Sequence, residues 1–398
     1  MSILLNIKER NAVLLTMANL IIENKLTILA ANKKDLDAYS GEDLAMGDRL
    51  KVDQSKIDGM VLSLKQLANE QDPLGIERFA FTHDNGIQVS NKTAPFGTIL
   101  IIYESRPDVT IEAAGIAFKS GNKILLKGGK ESLNSNLVLV NLWHKALESH
   151  NCTKDWVSYL QFDRKQTQEF LEKPTQKLDL IVPRGGEKLI AFVKQHATCP
   201  VIVSGRGNNF VYVDAEADLQ MALDIIINAK TTKISACNAL DKVLIAADMP
   251  RKQHFVQHLM AELKKSNVEI ITDEAFSSLE GTSMLKDENI WYEEFLDYKI
   301  VFGQVPSLEE AITKINKYGG GHSAAIITAN KENADTFMQL VDTAAVYHNA
   351  STRFTDGGQF GLGGELAIST DKLHQRGPIG LQHLVTNKWY ILGNGQTR

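Results

Sequence analysis

A β-α-β pattern begins at residue 98, where the chain reads Thr98-Ile99-Leu100-Ile101-Ile102-Tyr103 and, after a helical stretch, Lys123-Ile124-Leu125-Leu126-Lys127. Both runs are mostly apolar, which is typical of strands covered on both faces. Asp108 or Thr110 would cap the helix between them, and Gly121 would end it. The pattern predicts two parallel strands joined by a helix, which is the building unit of an α/β fold.

The same alternation extends towards the C-terminus. A long helix is predicted from about Ser132 to Ser149, and residues 1 to about 70 are predicted to be helical. Further strands are predicted at Val157–Leu160, Leu178–Val182, Pro200–Val203, Lys242–Ile245, Val268–Ile271, Lys299–Phe302, Ala324–Ile327 and Ala345–Tyr347. We therefore expect two α/β units with mostly parallel sheets, the second starting after Cys237.

A hairpin is predicted between Arg78 and Val89, because Asn85-Gly86 separates two alternating runs and both turn residues tolerate positive φ. The hairpin and the C-terminal run Lys388–Leu392 are suited to pairing between subunits. We therefore expect a homo-oligomer, although the sequence leaves the number of subunits open.

Composition excludes several classes of protein. The chain has 398 residues, a formal net charge of −5 and 23% charged residues, so it lacks the basic character of a nucleic-acid or anionic-membrane binder. No apolar run approaches the ~20 residues of a membrane span. Charged residues occupy Lys8–Arg10, where a signal peptide would be apolar. We expect a protein without a membrane or nucleic-acid partner.

The three cysteines are Cys152, Cys199 and Cys237. Their odd number and wide spacing speak against a disulfide framework and a zinc site, and fit a reducing cytoplasm. Cys237 stands out because its neighbours in Ser235-Ala236-Cys237-Asn238-Ala239 are small, which would let a substrate reach the sulfur. These small neighbours suggest a nucleophile, whereas packing in the core is the commoner role of a lone cysteine.

Four polar or glycine-rich clusters each follow a predicted strand, where ligands of open α/β sheets bind. They are Tyr103–Pro107, Lys127–Glu131, Pro183–Gly186 and Ser204–Asn208. Three carry a basic residue beside glycine, which predicts an anionic ligand. Neither G-x-G-x-x-G after a strand nor a P-loop motif is present. Arg106 could bind a carboxylate or phosphate, or be braced by Glu104. Lys127 could meet a phosphate or ribose, or be a solvated strand end.

A further polar run covers residues 349–358 and is followed by a glycine-rich segment at 360–365. Its composition is typical of a loop that lines a pocket. The histidines indicate little. His254 and His258 would share one helix face without an H-E-x-x-H pattern, and His322 is predicted to lie in a loop. We predict no metal site, because no third ligand has a suitable spacing.

Taken in order, these motifs resemble the gamma-glutamyl phosphate reductases, also called glutamate-5-semialdehyde dehydrogenases. The resemblance rests on Pro95-Phe96-Gly97, Tyr103–Thr110, Leu126–Gly129, Val182–Gly186, Ala236–Ala239 and the run 349–365, and it spans the chain from about residue 10. That family belongs to the aldehyde dehydrogenase superfamily, which binds its nicotinamide cofactor without G-x-G-x-x-G. The resemblance therefore implies an aldehyde-dehydrogenase-like fold, with two three-layer α/β domains and a small oligomerisation hairpin.

The resemblance implies an NADP(H)-dependent enzyme of proline biosynthesis. Cys237 would attack the acyl phosphate of L-glutamyl 5-phosphate, phosphate would leave, and hydride transfer to the thioester would give L-glutamate 5-semialdehyde. Ser105 and the backbone N–H of Asn238 would hold the oxyanion. Arg106, Arg353 and Thr355 are the candidates for binding the phosphate and α-carboxylate of the substrate.

The same resemblance implies a cofactor site. Lys127, with Glu131 close by, would contact the adenosine ribose or its 2′-phosphate. Arg184, Gly185 and Gly186 would pack near the pyrophosphate, and Glu294 would hold the nicotinamide ribose. Residues 1–228 would form the NADP-binding domain, with the hairpin at about 78–92 and with 359–398 returning to it or to the oligomer interface. Residues 229–358 would form the catalytic domain.

One departure from the family pattern is that Asn209-Phe210 stands where members carry a Cys-His pair. The superfamily's general-base glutamate is also absent there. A reductase does not need a base that activates water, because phosphate is its acyl partner. Two alternatives stay open, a dehydrogenase of the same superfamily acting on another aldehyde and an inactive scaffold.

Overall fold

The structure is a computed structural model that describes residues 5–41 and 44–398. The chain divides into two compact units. The first unit comprises the chain up to Val203 together with Gly361–Ala367 and Ile379–Arg398. The second unit comprises Ser204–Phe360 and Ile368–Pro378. The predicted helical segment also covered residues 1–4 and 42–43, which lie outside the described residues.

Both units are built from alternating helices and strands. In chain order, the helices are α1 Ile7–Glu23, α2 Lys25–Ala38, α3 Leu44–Leu50, α4 Gln54–Asn69, α5 Val109–Lys119, α6 Leu133–Ser149, α7 Arg164–Glu172, α8 Glu187–His196, α9 Leu219–Thr231, α10 Lys252–Lys265, α11 Leu308–Tyr318 and α12 Lys331–Leu340. The strands are β1 Glu77–Thr82, β2 Gln88–Pro95, β3 Thr98–Tyr103, β4 Lys123–Lys127, β5 Val157–Tyr159, β6 Leu180–Arg184, β7 Asn209–Val213, β8 Leu240–Ala246, β9 Glu269–Thr272, β10 Ser283–Met284, β11 Lys299–Val305, β12 Ser323–Ile327, β13 Ala345–His348, β14 Glu365–Ser369, β15 Gly377–Gly380 and β16 Val385–Leu392.

The first unit is built on a four-stranded parallel sheet with the order β5-β4-β3-β6. The apolar residues on one face of the sheet pack with α1, α4, α5 and α6 into one core, and those on the other face pack with α7 and α8 into a second, smaller one. The predicted β-α-β unit is confirmed, and α5 ends where Gly121 adopts positive φ. In α4 the apolar residues that repeat at helical spacing are all buried, namely Ile57, Met60, Val61, Leu64 and Leu67.

The register of this sheet brings three of the four polar clusters to one edge. Ile102 of β3 pairs with Lys127 of β4, and Tyr103 pairs with Arg184 of β6. All three strands run in the same direction, so the turns that follow them leave the same edge of the sheet. The clusters Tyr103–Pro107, Lys127–Glu131 and Pro183–Gly186 therefore follow neighbouring strands at one edge of the sheet.

The fourth cluster lies elsewhere, and two expectations are corrected. Pro200–Val203 is not a regular strand, because its one β-bridge to the described part of the chain joins Val201 to Ile181. Ser204–Asn208 instead leads into β7, which pairs with β8 and β12 in the sheet of the second unit. The second compact unit begins before β7, at Ser204, whereas the boundary predicted between the NADP-binding and catalytic domains falls after residue 228.

The predicted hairpin is confirmed as β1 and β2, but its turn differs. His83 and Ile87 close a three-residue loop in which Gly86 has a φ of +87° and Asn85 keeps negative φ. β16 pairs antiparallel with β2, giving the order β1-β2-β16. The C-terminal run that was expected to pair between subunits is therefore already paired with β2 of its own chain along its whole length.

The second unit contains a seven-stranded parallel sheet with the order β10-β9-β11-β8-β7-β12-β13. Its central strands β7, β8 and β12 are buried throughout, which explains their continuous apolar character. Cys237 lies in the turn between α9 and β8. The prediction of a second α/β unit is confirmed.

Within the described residues, no single helix is both long and apolar enough to cross a membrane. In the same part of the chain, α1 and α2 meet the length and composition criteria when taken together, and they are bent by 71° at their junction.

Candidate active site

Cys237 is held in a tight turn that precedes the central strand β8. The N–H of Ala239 donates to the carbonyl of Ala236 at 2.9 Å, and the N–H of Ala236 donates to the carbonyl of Lys233 at 3.2 Å. The thiol is half-buried. Gly207 passes so close to this turn that a Cβ at its position would overlap the carbonyl oxygen of Cys237. Glycine is therefore required there for steric reasons.

His322 lies beside the sulfur. Its Nε2 is 3.2 Å from Cys237 Sγ, and its side chain is fully buried. Burial disfavours the charged imidazolium and lowers the pKa of His322 to about 4. The imidazole is therefore neutral at physiological pH, and it can accept a proton from the thiol.

A chain of hydroxyl groups continues from the other side of the imidazole. His322 Nδ1 is 2.8 Å from Ser323 Oγ, which lies 2.7 Å from Thr355 Oγ1. Thr355 Oγ1 is in turn 2.6 Å from the hydroxyl of Tyr347. These partners fix the plane of the ring, so that Nε2 faces the sulfur.

Sequence reasoning missed His322, which was placed in a loop without a role. Cys237 precedes β8 and His322 precedes β12, and these strands flank β7 on either side. Parallel strands begin at one edge of a sheet, so the turns before β8 and β12 meet there. The signal was the strand order, which the sequence pattern does not give.

The polar run at 349–358 is bonded to the nucleophile turn. Asn238 Nδ2 donates to the carbonyl of Thr355 at 2.9 Å and to that of Arg353 at 3.2 Å, and Thr352 Oγ1 donates to the carbonyl of Asn238 at 2.8 Å. The expectation that this run belongs to a site is supported by its contact with the residue next to Cys237.

Arg353 carries the most informative group of this loop. Its Nε and Nη1 are buried and have no hydrogen-bond partner among the described residues. A buried cation without partners is costly, which suggests that an anionic ligand completes its coordination. Thr355, the other candidate from this loop, is fully buried and its hydroxyl already bonds Ser323 and Tyr347. Its role as a substrate contact stays a prediction.

In the first unit, the turn after β4 lies against the turn after β3. A Cβ on Gly129 would be 2.7 Å from a carboxylate oxygen of Glu131 and 3.3 Å from the backbone nitrogen of Ser105. Burial lowers the pKa of Lys127, an effect that the negative charges of Glu131 and Asp163 oppose. Ser105 is buried, and its Oγ has no partner among the described residues. This hydroxyl is available to a ligand.

The turn after β6 starts helix α8. Gly186 is the residue before the helix, and its N–H donates to a carboxylate oxygen of Glu104 at 3.0 Å. A Cβ on Gly185 would be 2.5 Å from Glu104 Cδ. The start of α8 thus offers backbone donors that bind a carboxylate, which is the chemistry expected where a pyrophosphate packs.

Arg106 is exposed on one side, and its guanidinium lies 3.5 Å from Asp108. Asp108 braces it, and not Glu104, whose carboxylate is directed to Gly186.

The segment around Glu294 is held by strand β8. Lys242 Nζ donates to the carbonyl of Glu293 at 2.8 Å, and its ammonium lies 3.8 Å from the centre of the Phe295 ring. The N–H of Phe295 donates to Asp241 Oδ2 at 2.9 Å. Asp241 also pairs with the buried Lys230 at 2.9 Å. Glu294 itself is half-buried.

In the part of the chain that the structure describes, no group of three or more His, Cys, Asp or Glu residues could hold a metal ion. A half-buried thiol beside a neutral imidazole, at the edge of a parallel α/β sheet, defines a cysteine-dependent α/β enzyme.

Comparison with known proteins gives the same class. The aldehyde dehydrogenase family model matches residues 4–278. A gamma-glutamyl phosphate reductase of Clostridium botulinum (strain Eklund 17B / Type B) is 42% identical over 392 residues, covering 98% of this chain and 94% of the relative. One from Dictyoglomus thermophilum is 41% identical over 397 residues, covering 99% and 95%.

A crystal structure of the gamma-glutamyl phosphate reductase of Thermotoga maritima matches with a TM-score of 0.95 and 38% identity, over 99% of this chain and 95% of the other. An engineered glycolyl-CoA reductase with bound NADP+ has a TM-score of 0.69 at 17% identity, which shows the shared fold. The chain belongs to the aldehyde dehydrogenase family and, within it, to the gamma-glutamyl phosphate reductases.

Proposed function

We propose that this chain reduces L-glutamyl 5-phosphate to L-glutamate 5-semialdehyde with NADPH and releases phosphate, as a step of proline biosynthesis. The observation that carries the proposal is the contact between Cys237 and a buried neutral imidazole, in a chain whose full-length relatives bear the name of this reductase. In this proposal the first unit binds the cofactor and the second supplies the nucleophile.

His322 would activate the thiol. The tautomer with hydrogen on Nδ1 donates to Ser323 Oγ and leaves Nε2 as an acceptor facing Cys237 Sγ. As the sulfur attacks the acyl carbon, its proton passes to Nε2. The depressed pKa disfavours the imidazolium by about 3 kcal/mol relative to an exposed histidine. His322 therefore holds the proton only transiently and gives it to the departing phosphate oxygen.

In the proposed reaction, the covalent bond to Cys237 Sγ forms in the first step and breaks in the last. The bond between the acyl carbon and the phosphate oxygen breaks, and a thioester on Cys237 Sγ remains. When bound, the nicotinamide supplies the hydride that reduces this thioester. The C–S bond then breaks, the aldehyde leaves, and the thiolate takes a proton from solvent. Ser105 Oγ and the backbone N–H of Asn238 are proposed to hold the oxyanion, and the unsatisfied Ser105 hydroxyl supports this role.

Arg353 is proposed as the main anion contact of the substrate, because two of its buried nitrogens lack partners among the described residues. Arg106 is proposed as a second contact from the first unit, where it also forms an ion pair with Asp108. The structure supports Thr355 more strongly as a partner of Ser323, since its hydroxyl already bonds that residue and Tyr347.

The described residues fit a dinucleotide. Gly128, Gly129 and Gly185 let the chain pass close to neighbouring residues, since a Cβ at each position would clash with Asn136, Glu131 and Glu104 respectively. The start of α8 presents backbone N–H groups of the kind that bind a diphosphate, and one of them already holds the Glu104 carboxylate. Membership of the family implies NAD or NADP. NADP is the proposed cofactor, with Lys127 and Glu131 near its ribose 2′-phosphate, Arg184, Gly185 and Gly186 near the diphosphate, and Glu294 on the nicotinamide ribose. A homo-oligomer that uses the edge strands β1 and β16 is also proposed.

The reverse reaction tests the proposal. Purified protein is mixed with NADP+ and glutamate 5-semialdehyde, with and without inorganic phosphate, and NADPH formation is followed. The proposal predicts turnover that requires phosphate, because phosphate is the acyl acceptor. Oxidation that is independent of phosphate, or faster with another aldehyde, would support a different dehydrogenase. A protein that shows no thermal shift with NADPH would be a scaffold.

A further inference from the structure

Asn209 is a fully buried side chain next to the nucleophile turn. It is the first residue of β7, and its side-chain nitrogen lies 2.8 Å from the carbonyl oxygen of Cys237 and 2.6 Å from that of Ala239. The same nitrogen is 2.8 Å from the carbonyl oxygen of Gly207. One amide group thus contacts backbone carbonyls of the cysteine turn and of the segment that Gly207 brings close to it.

The other end of the same amide reaches the histidine segment. Asn209 Oδ1 accepts the backbone N–H of Ser323 at 3.0 Å. Ser323 follows His322 directly and bonds its Nδ1 through the side-chain hydroxyl. A single planar, rigid group therefore connects the backbone of the nucleophile with the backbone that carries its proton acceptor.

We infer that Asn209 is a positioning residue that sets the distance between Cys237 Sγ and His322 Nε2. The inference rests on the proposed function only in naming Cys237 as the nucleophile. It assigns a definite task to the position at which this chain departs from the family pattern. Phe210, the second departing residue, is a core residue of the second unit, stacked on Trp291 with ring centres 6.3 Å apart.

Both the donor nitrogen and the acceptor oxygen of the Asn209 amide are needed for this role. Its two N–H bonds serve three carbonyl oxygens, and its oxygen serves one N–H. An aspartate keeps the acceptor but places negative charge against the three carbonyls, whereas an alanine leaves all four groups without this partner. Either change would let the turn of Cys237 and the segment of His322 move independently of each other.

Asn208 provides a matched control. It is also buried and also donates to two backbone carbonyls, those of Trp291 at 2.6 Å and Tyr318 at 2.9 Å. Its side chain has no hydrogen bond to the Cys237 turn or to Ser323 among the described residues. Substitution at Asn208 therefore removes two buried side-chain hydrogen bonds without touching the linkage between Cys237 and His322.

The experiment measures thiol reactivity without substrate or cofactor. Asn209→Ala, Asn209→Ser and Asn208→Ala are made in full-length protein carrying Cys152→Ser and Cys199→Ser, so that iodoacetamide alkylates only Cys237. The rate is followed from pH 5 to 9 beside the melting temperature. We expect Asn209→Ala to lower the rate at neutral pH by about tenfold and to change its pH profile, whereas Asn208→Ala lowers the melting temperature and leaves the profile unchanged.

Several outcomes decide the inference. A wild-type alkylation profile in folded Asn209→Ala would overturn it, as would equal effects of both alanine variants. If Asn209→Ala does not fold, Asn209→Ser, which keeps one hydroxyl donor, must show a smaller change in the same direction, and an unchanged profile would again overturn it. Because no substrate is present, failure of the proposed reduction in a separate assay would not change these results.

Discussion

Nε2 of His322 lies 3.2 Å from Sγ of Cys237, and the imidazole is completely buried. Burial alone lowers the pKa of this histidine to about 4. The thiol therefore faces a neutral proton acceptor, which fits a cysteine that gives up its proton as it attacks. The burial also makes folding stability depend on pH in a defined direction.

The stability of the protein should fall between pH 6.5 and pH 4 because of His322. In this range the unfolded chain, where the histidine has an ordinary pKa, binds the proton before the folded chain does. The difference of about 2.5 pKa units corresponds to at most about 3 kcal/mol, and it is fully lost below pH 4. His322→Gln should flatten this part of the curve in urea unfolding measured at several pH values.

The control for this prediction is His254→Gln, since His254 lies on helix α10 away from the nucleophile turn. That variant should keep the slope of the wild-type curve. A His322→Gln curve parallel to wild type would contradict the assignment of a buried neutral imidazole.

Arg353→Met should raise KM for glutamate 5-semialdehyde or phosphate by about tenfold or more, with little change in the Kd of NADPH. The reason is that the guanidinium has buried nitrogens that only a ligand would satisfy. Steady-state kinetics and a fluorescence titration of the cofactor measure the two quantities. Arg376→Met is the control, because Arg376 forms an ion pair with Asp342 at 2.7 Å. Equal KM values for the two variants would refute the role of Arg353.

Gly207→Ala should destabilise the folded protein by several kcal/mol, because the new Cβ would overlap the backbone carbonyl of Cys237, which cannot move without disturbing the turn. Gly186→Ala is the matched control, since a Cβ there meets no atom of the described residues within 4 Å. Melting temperatures report the difference. Similar values for both variants would show that the close approach of Gly207 is wrong.

The buried Lys242 should make folding stability depend on pH in the alkaline range. Burial lowers its pKa to about 7, against the raising effect of Asp241, Glu293 and Glu294 and with the lowering effect of Lys230. Between pH 7 and 10.5 the unfolded chain therefore binds more protons, so stability should rise with pH over that window, by a few kcal/mol at most. Lys242→Met should reduce the slope of this rise in chemical unfolding, and the part that remains comes from other buried lysines with lowered pKa values, such as Lys119 and Lys230. A slope equal to that of wild type would contradict it.

Much of the fold could be predicted from local patterns. The strands predicted at 98–103 and 242–245 are buried strands, and the apolar residues at helical spacing in α4 are buried. These predictions succeed because the pattern of apolar residues within one element reports which of its faces is buried. The strand predicted at Pro200–Val203 is not a regular strand in the structure. Its composition suits a strand, but within the described chain its bridge to β6 is confined to Val201, and the segment's own sequence does not encode that limit.

Site residues whose role follows from their sequence neighbours could be predicted, whereas those whose role depends on contacts with distant residues could not. Cys237 could be proposed from its small neighbours and Arg353 from the family resemblance of its polar run, whereas His322 gains its role because β7 lies between β8 and β12. Asn209 shows the same dependence, since its partners Cys237 and Ser323 are far from it in sequence. Strand order, set by long-range pairing, decides which loops meet.

Covalent catalysis by Cys237 is tested most sharply by the turnover of Cys237→Ser in the phosphate-dependent NADP+ assay, with Cys152→Ser and Cys199→Ser as controls. We expect Cys237→Ser to lose turnover by several orders of magnitude while NADPH binds with unchanged affinity, since a serine hydroxyl is a far weaker nucleophile beside a neutral imidazole. Both controls should keep wild-type rates. Near-wild-type turnover of Cys237→Ser would contradict the proposed covalent mechanism.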